Sequence, residues 1–153
     1  MDDVAFIVSC TKKKIWDINP NAPKKVQAKD AYVGNLFKLG KKLAEKLKAP
    51  WFIISAKYGI LKPTELIENY NVTIDETDLT PEIVRKQLVE KGVFKFKKLV
   101  VLASTKYCNL IEKAAELLGI IVETPLKGLP LGMMLAKLKK MLSSNQTKLT
   151  DYY

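Results

Sequence analysis

Short runs of apolar residues alternate along the chain with longer stretches that have helical periodicity. The apolar runs lie at positions 4–8, 51–54, 99–102 and 120–122. Continuous apolar runs are typical of strands buried on both faces, and their alternation with helices favours a parallel sheet. We therefore expect an α/β fold, a three-layer domain with a mainly parallel sheet of four or more strands and helices on both faces.

The sequence between these runs predicts four helices. Apolar residues recur at helical spacing through 32–48 and again through 131–142. Thr80, followed by a proline and an acid, has the character of a helix N-cap, and Gly92 is a suitable end for that helix. A further helix ends at Gly119.

Two stretches have a less regular pattern. Positions 70–74 fit either a short extra strand or a loop that crosses the edge of the sheet. The last residues are polar and lack periodicity. We expect one α/β domain at 1–143 and a polar C-terminal tail at 144–153.

The charge of the chain favours anionic partners. Lysine and arginine together number 26 against 16 acidic residues, a net charge of +10, and Arg85 is the single arginine. A phosphate-bearing ligand, a nucleotide or a nucleic acid would fit this balance, although solubility alone is an equally open reason for it. Because base-edge recognition in the major groove relies on arginine, a sequence-specific DNA reader is disfavoured.

The composition also excludes several kinds of site. The chain has no histidine and two cysteines. A Ser-His-Asp triad and a histidine-ligated or cysteine-rich metal site are therefore impossible, and we expect neither a metal nor a cofactor. We see no signal peptide, and no apolar run approaches the roughly 20 residues of a membrane span, so we expect a cytoplasmic protein without membrane association. The oligomeric state stays open.

Three of the apolar runs end in similar polar sequences. A serine follows each run, and a lysine comes two or three positions later, in Ser9-Cys10-Thr11-Lys12, Ser55-Ala56-Lys57-Tyr58 and Ser104-Thr105-Lys106-Tyr107. The carboxyl ends of parallel strands lie on one edge of a sheet, where ligands bind in α/β folds. Hydroxyls and lysines at that edge suit a phosphate group, so the recurrence predicts an anion site there.

These residues divide into two groups of candidates. The catalytic candidates are Cys10, a thiol nucleophile whose thiolate the adjacent lysines would favour, and Ser55, Lys57 and Tyr58, which would orient the substrate and stabilise charge. The ligand-binding candidates are hydroxyls, lysines and loop glycines that a phosphate could contact, namely Ser9, Thr11, Lys12, Lys13, Gly59, Ser104, Lys106, Tyr107, Gly128 and Gly132.

Each candidate also has an ordinary structural interpretation. Ser104 and Thr105 could cap the helix that follows them, and single lysines in loops are mostly solvated. Tyr58 and Tyr107 could be packing residues, and Cys10 could be a small buried side chain. The functional interpretation depends on the recurrence at three equivalent positions.

The motifs as a set resemble an uncharacterised family of small α/β domains from archaea, bacteria and phages. The shared patterns are SCxxK after the first strand, a SAKYGLLxP-like segment after the second and PLxGLxxG near the end. The matching positions are Ser9, Cys10, Lys13, Tyr32, Phe37, Trp51, Ser55, Ala56, Lys57, Gly59, Pro63, Tyr70, Tyr107, Pro125, Leu126, Gly128, Leu129 and Gly132. Asn71 stands where the family usually has an acid, and Ser104 where it often has glycine.

The family in turn is faintly similar to the peroxide-stress DNA-binding protein YaaA, whose first strand also ends in a small residue followed by lysine. Neither resemblance supplies a reaction, so two hypotheses stand. The first is an enzyme acting on a nucleotide or nucleic acid at an N-glycosidic bond or a phosphoester, a metal-independent hydrolase or glycosidase. The alternative is a non-catalytic module that binds nucleic acid through a lysine-rich surface.

Overall fold

The computed structural model describes residues 3–144. Its elements in chain order are β1 (Val4–Ser9), α1 (Ile15–Ile18), β2 (Val26–Gln27), α2 (Ala28–Ala31), α3 (Asn35–Lys46), β3 (Trp51–Ser55), β4 (Gly59–Leu61), β5 (Leu66–Ile67), α4 (Pro81–Glu90), β6 (Lys98–Leu102), α5 (Thr105–Ala115), β7 (Ile121–Glu123) and α6 (Leu131–Ser143). Apart from Ser144, the predicted polar tail lies outside the described residues.

The main sheet has five strands in the order β4-β3-β1-β6-β7. Strand β1 pairs in parallel with both β3 and β6, and β6 pairs in parallel with β7. The edge strand β4 is antiparallel to β3. Strands β2 and β5 form a separate two-stranded antiparallel ribbon.

Alternate residues of the central strand face two separate hydrophobic cores. Phe6 and Val8 belong to a core that also contains side chains of α3 and α6. Ala5 and Ile7 belong to the opposite core, which α4 and α5 cover. All six residues of β1 are buried, as a strand covered on both faces requires. The predicted three-layer α/β fold with a mainly parallel sheet is confirmed.

The helix ends follow the predicted signals in some places and depart from them in others. Thr80 is the N-cap of α4, and its hydroxyl accepts a hydrogen bond from the amide of Ile83 at 3.2 Å. The helix predicted from position 32 begins instead at Asn35, because Tyr32 has an extended backbone. Gly34 passes so close to Thr11 that a β-carbon there would lie 2.6 Å from the threonine side chain.

Strand β4 is an element that the apolar pattern did not predict, since the strand has three residues and follows a polar turn. Its edge is covered by one side chain of α4. Gln87 accepts a hydrogen bond from the amide of Ile60 at 2.8 Å and donates one to the carbonyl of Tyr58 at 3.1 Å. The side-chain amide thereby replaces a missing neighbouring strand. Positions 70–74 form a loop, the second of the two predicted alternatives.

Within residues 3–144, none of the helices is both long enough and apolar enough to cross a membrane.

Replacing Gly59 by alanine should destabilise the fold more than the same change at Gly92. Both glycines have φ of +76°, so both variants incur the strain of a left-handed alanine, about 1 kcal/mol. At Gly59 the added β-carbon would also lie 2.0 Å from the Gln87 side-chain oxygen, whereas at Gly92 it meets no atom within 4 Å. We expect Gly59→Ala to lose about 2–4 kcal/mol in urea unfolding. Equal losses for the two variants would show that Gln87 does not hold β4.

Candidate functional site

The carboxyl ends of β3, β1 and β6 lie side by side on one edge of the sheet. Ser9 ends β1 and is paired in register with Ile54 of β3, and the amide of Cys10 donates to the Ile54 carbonyl at 3.0 Å. Ser104 follows β6, which is parallel to β1. The prediction that Ser9, Ser55 and Ser104 share one edge is confirmed.

A cavity of about 440 Å³ opens at this edge, and we call it the edge cavity. The segment after β1 and the N-terminus of α5 contribute its polar wall, with Cys10, Lys12, Ser104 and Tyr107. Its apolar wall comes from α3, α6 and the segment before α4, through Leu36, Val72, Ile74, Leu131, Met134 and Leu135. The volume lies in the range of roughly 300–1,000 Å³ that is usual for small-molecule sites.

One side of the edge cavity is formed by the segment 69–79, which we call the strap. Near its start, the hydroxyl of Tyr70 is bonded to Ser55 Oγ at 2.9 Å and to the Tyr32 hydroxyl at 2.7 Å. Near its end, the hydroxyl of Thr77 donates to the carbonyl of Ala56 at 2.5 Å. Between these points, the carboxylate of Asp75 is paired with Lys106. The strap is therefore held across the strand ends at three places.

Ser55 positions the strap and does not line the edge cavity. Its buried hydroxyl accepts hydrogen bonds from the amides of Lys57 at 3.2 Å and Tyr58 at 3.1 Å. An oxygen that accepts two bonds has its own hydrogen left to donate, so the proton of Ser55 points to Tyr70. Burial raises the pKa of both Tyr70 and Tyr32, which keeps these phenols protonated at neutral pH.

Cys10 and Tyr107 meet in the polar wall of the edge cavity. The sulfur of Cys10 is 3.3 Å from the Tyr107 hydroxyl, within hydrogen-bonding distance. Burial, and after it the proximity of Cys10, raises the pKa of Tyr107, so this phenol also keeps its proton. The pair brings a thiol nucleophile next to a proton donor.

The structure brings six of the predicted site residues to the edge cavity and leaves eight outside it. The six lining residues are Ser9, Cys10, Thr11, Lys12, Ser104 and Tyr107. The eight others are Ser55, Lys57, Tyr58, Lys13, Gly59, Lys106, Gly128 and Gly132. Among the lining residues, the hydroxyl of Ser9 is already used, since it donates to the Cys10 carbonyl at 2.9 Å.

The residues outside the cavity have contacts of their own. Tyr58 packs edge-on against Tyr70 with ring centroids 5.5 Å apart, and its hydroxyl is bonded to the backbone of Glu68. Lys13, Lys57 and Lys106 are exposed. The amide of Gly128 donates to the hydroxyl of Thr105 at 2.9 Å, and Gly132 lies exposed in the first turn of α6.

Two residues of the site were not among the sequence candidates. Tyr70 belonged to the resemblance motif, and that match was the signal that could have identified it. Lys14 had no signal in the sequence, because it is the third of three consecutive lysines. Its side chain is only 4% exposed, and its ammonium lies 4.3 Å from the centre of the Tyr70 ring.

Within residues 3–144, the structure has no cluster of three or more histidine, cysteine, aspartate or glutamate side chains that could hold a metal ion. The chemistry that the described site offers is that of a thiol, three phenols, hydroxyls and lysine ammonium groups.

Comparison with known proteins gives relatives of unknown function. A family model described as "Family of unknown function (DUF6884)" matches residues 5–140. The uncharacterized protein YfjM of Bacillus subtilis (strain 168) is 37% identical over 109 residues, which are 69% of this chain and 72% of YfjM. A crystal structure of AF0587, a protein of unknown function, matches with a TM-score of 0.44 and 16% identity. That match covers 96% of this chain, which spans about half (47%) of the AF0587 chain.

The two cysteines should differ sharply in reactivity. Cys10 is partly exposed and lines the edge cavity, whereas Cys108 is buried and its Sγ donates to the Ala103 carbonyl at 3.3 Å. Burial raises the pKa of Cys108 to about 11, from an ordinary value of 9.0, which alone lowers its thiolate fraction about a hundredfold. In the folded protein we expect iodoacetamide to label Cys10 and to leave Cys108 unlabelled until urea is added. Equal labelling of both in the folded state would contradict the site geometry.

Removing the hydroxyl of Tyr70 should cost more stability than removing that of Tyr32. The Tyr70 hydroxyl joins two partners, Ser55 and Tyr32, whereas the Tyr32 hydroxyl is bonded to Tyr70. We expect Tyr70→Phe to lose about 1–3 kcal/mol in urea unfolding and Tyr32→Phe to lose less. If Tyr70→Phe is as stable as the wild type, these hydrogen bonds do not anchor the strap.

Proposed function

We propose that this chain, which belongs to the DUF6884 family of unknown function, is an enzyme that acts on a nucleotide, or on one nucleotide of a nucleic acid, in the edge cavity. The membership agrees with the uncharacterised family expected from the motifs, while the likeness to YaaA stays a prediction. The observation that carries the proposal is one cavity that is lined by Cys10, Tyr107 and the buried Lys14.

A cavity of this size favours an enzyme over a surface that binds nucleic acid. A non-catalytic module would need a continuous basic surface, and its lysines would be free to contact successive phosphates. Here Lys106 is paired with Asp75, and Lys91 with Glu65. A volume of about 440 Å³ suits one nucleotide and is too small for a duplex.

The polar wall of the edge cavity would bind the phosphate. Lys12 lines it, together with Ser104 and Tyr107 from the N-terminus of α5. Ser104 is the N-cap of α5, and its side chain makes no capping hydrogen bond in the described structure, which leaves first-turn amides for an anion. The apolar wall, with Leu131 and Met134, would contact the base or the sugar.

The chemistry would be a metal-independent hydrolysis at an N-glycosidic bond or a phosphoester. Cys10 would attack the anomeric carbon or the phosphorus as a thiolate, and the bond to the base or to the ester oxygen would break as Tyr107 donates a proton to that leaving group. Water would then attack the same carbon or phosphorus, pass a proton to the Tyr107 phenolate and release the sulfur as a thiolate. Ser55 and Tyr58, which contact Tyr70, would position the strap and would not take part in the reaction.

The lysines after β1 and β3 provide a matched test of this proposal. Lys12 and Lys57 are both exposed, and they lie in the loops that follow the neighbouring strands β1 and β3. Lys12 lines the edge cavity and Lys57 does not. We expect Lys12→Ala to weaken mononucleotide binding about tenfold in calorimetric titrations, and Lys57→Ala to change it less than about twofold. With an oligonucleotide, the log-log salt dependence should flatten by about 0.7–0.9 for Lys12→Ala only.

Turnover is tested separately with Cys10→Ala, which should bind mononucleotides and release neither base nor phosphate. Equal small losses for the two lysine variants, with binding confined to oligonucleotides, would favour the non-catalytic module. Unchanged turnover in Cys10→Ala would exclude Cys10 as the nucleophile.

A further inference from the structure

Lys14 differs from the other lysines of the described chain in being buried at the junction of two cavities. It lines the edge cavity and also a neighbouring polar cavity of about 460 Å³, which we call the side cavity. The side cavity is lined by Lys12, Lys14, Asp17, Asn69, Tyr70 and Asn71. Of the charged side chains within residues 3–144, Lys14 is the one that is buried. An amine in this position would reach a ligand in either space.

The contacts of Lys14 hold its amine in place but do not include an ion pair with a carboxylate. Its Nζ donates to the carbonyl of Lys12 at 3.0 Å and lies over the ring of Tyr70. None of the ion pairs within residues 3–144 includes Lys14. The carboxylate of Asp17 accepts a hydrogen bond from the Lys14 backbone amide at 2.8 Å. This carboxylate therefore holds the backbone of Lys14.

The surroundings of Lys14 act on the protonation of its amine in both directions, and burial is the largest influence. Burial lowers the pKa of Lys14 and Lys12 lowers it further, while Cys10 and Asp17 act in the opposite direction. The groups that face the amine are these three together with the ring of Tyr70. A buried lysine that lines a cavity and has a lowered pKa is the type of amine that forms Schiff bases with carbonyl compounds.

We propose that Lys14 forms a reversible imine with an aldehyde or ketone that also carries an anionic group. The carbonyl end would occupy the space between the two cavities, and the anionic group would lie at Lys12 and the N-terminus of α5. The proposal deepens the proposed function and rests on its cavity, but it does not require the ligand to be a nucleotide. A sugar phosphate in its open-chain form, such as the one freed when an N-glycosidic bond is hydrolysed, has the required chemistry.

The reaction needs no oxidant, reductant or metal. The lone pair of neutral Nζ attacks the carbonyl carbon, the C–N bond forms, and a proton moves from nitrogen to oxygen to give a carbinolamine. Tyr107, which lines the same cavity and keeps its proton, can supply a proton to the carbinolamine oxygen. That oxygen leaves as water, the nitrogen gives its remaining proton to the Tyr107 phenolate, and the imine results.

The experiment is reductive trapping on the full chain. Ribose 5-phosphate is added with cyanoborohydride at pH 7.5, and the labelled lysines are identified by peptide mass mapping. Lys13 is the internal control, because it is adjacent in sequence, exposed and outside the lining of both cavities. We expect Lys14 to be labelled faster than Lys13, because burial lowers the pKa of Lys14 and so raises the neutral fraction of its amine. Inorganic phosphate should slow the labelling of Lys14 and leave that of Lys13 unchanged.

A second probe keeps the test valid if ribose 5-phosphate is too large to enter. Formaldehyde with cyanoborohydride methylates any neutral amine that water can reach, and its rate at Lys14 should level off at a lower pH than at Lys13. Lys14→Arg, which retains the charge but cannot form an imine, should abolish the trapped adduct while its melting temperature shows a folded protein. Labelling of Lys14 no faster than Lys13 with both probes would overturn the proposal.

The outcomes also separate this inference from the proposed function. Nucleotide binding and turnover without a trapped adduct at Lys14 would remove the imine and leave the enzyme. An adduct at Lys14 in a protein that neither binds nor hydrolyses nucleotides would support the imine and remove the nucleotide as substrate.

Discussion

Strand β1 lies between two parallel neighbours, and this pairing constrains the positions of all the other elements. Because β3 and β6 both run parallel to β1, the chain needs crossover connections to pass between these strands. The helices of those connections cover the two faces of the sheet. The same pairing places three strand ends at one edge. A site at that edge therefore follows from topology and does not require the strand ends to be close in sequence.

The strap forms one side of the edge cavity, so the strand ends border a cavity and not a flat surface. Its attachment depends on Tyr70, whose hydroxyl joins Ser55 at the end of β3 to Tyr32 before α3. These are buried hydroxyls that satisfy one another, so the loss of one leaves a polar group without a partner in the interior. The serine after β3 thus has a structural purpose, which is to hold the residue that borders the cavity.

Most of the lysines whose contacts are described serve the fold and not the site. Lys46 donates to the carbonyls of Leu142 and Ser144, which satisfies the end of α6, and Lys98 pairs with Glu123 across the strands β6 and β7. Arg85 does the same for the end of α5, through the carbonyls of Ala114 and Lys113. A net charge of +10 consequently says little about which cations a ligand would meet. Lys14 differs from the other lysines in being buried, and Lys12 is an exposed lysine that lines the edge cavity.

The sequence by itself determined the strands β1, β3, β6 and β7, four of the helices and the edge at which polar residues collect, because apolar periodicity reports the burial of each residue by its own element. It did not predict β4, which is short and depends on Gln87 for its outer hydrogen bonds, or the burial of Lys14 among three lysines. From the sequence, Ser55 and Tyr58 were assigned to the reaction. In the structure their side chains contact Tyr70. The contacts that decided these points join residues far apart in the chain, Tyr32 with Tyr70 and Cys10 with Tyr107. Local patterns carry no information about such pairs, so only the tertiary structure could bring the thiol, the phenols and the buried amine into one cavity.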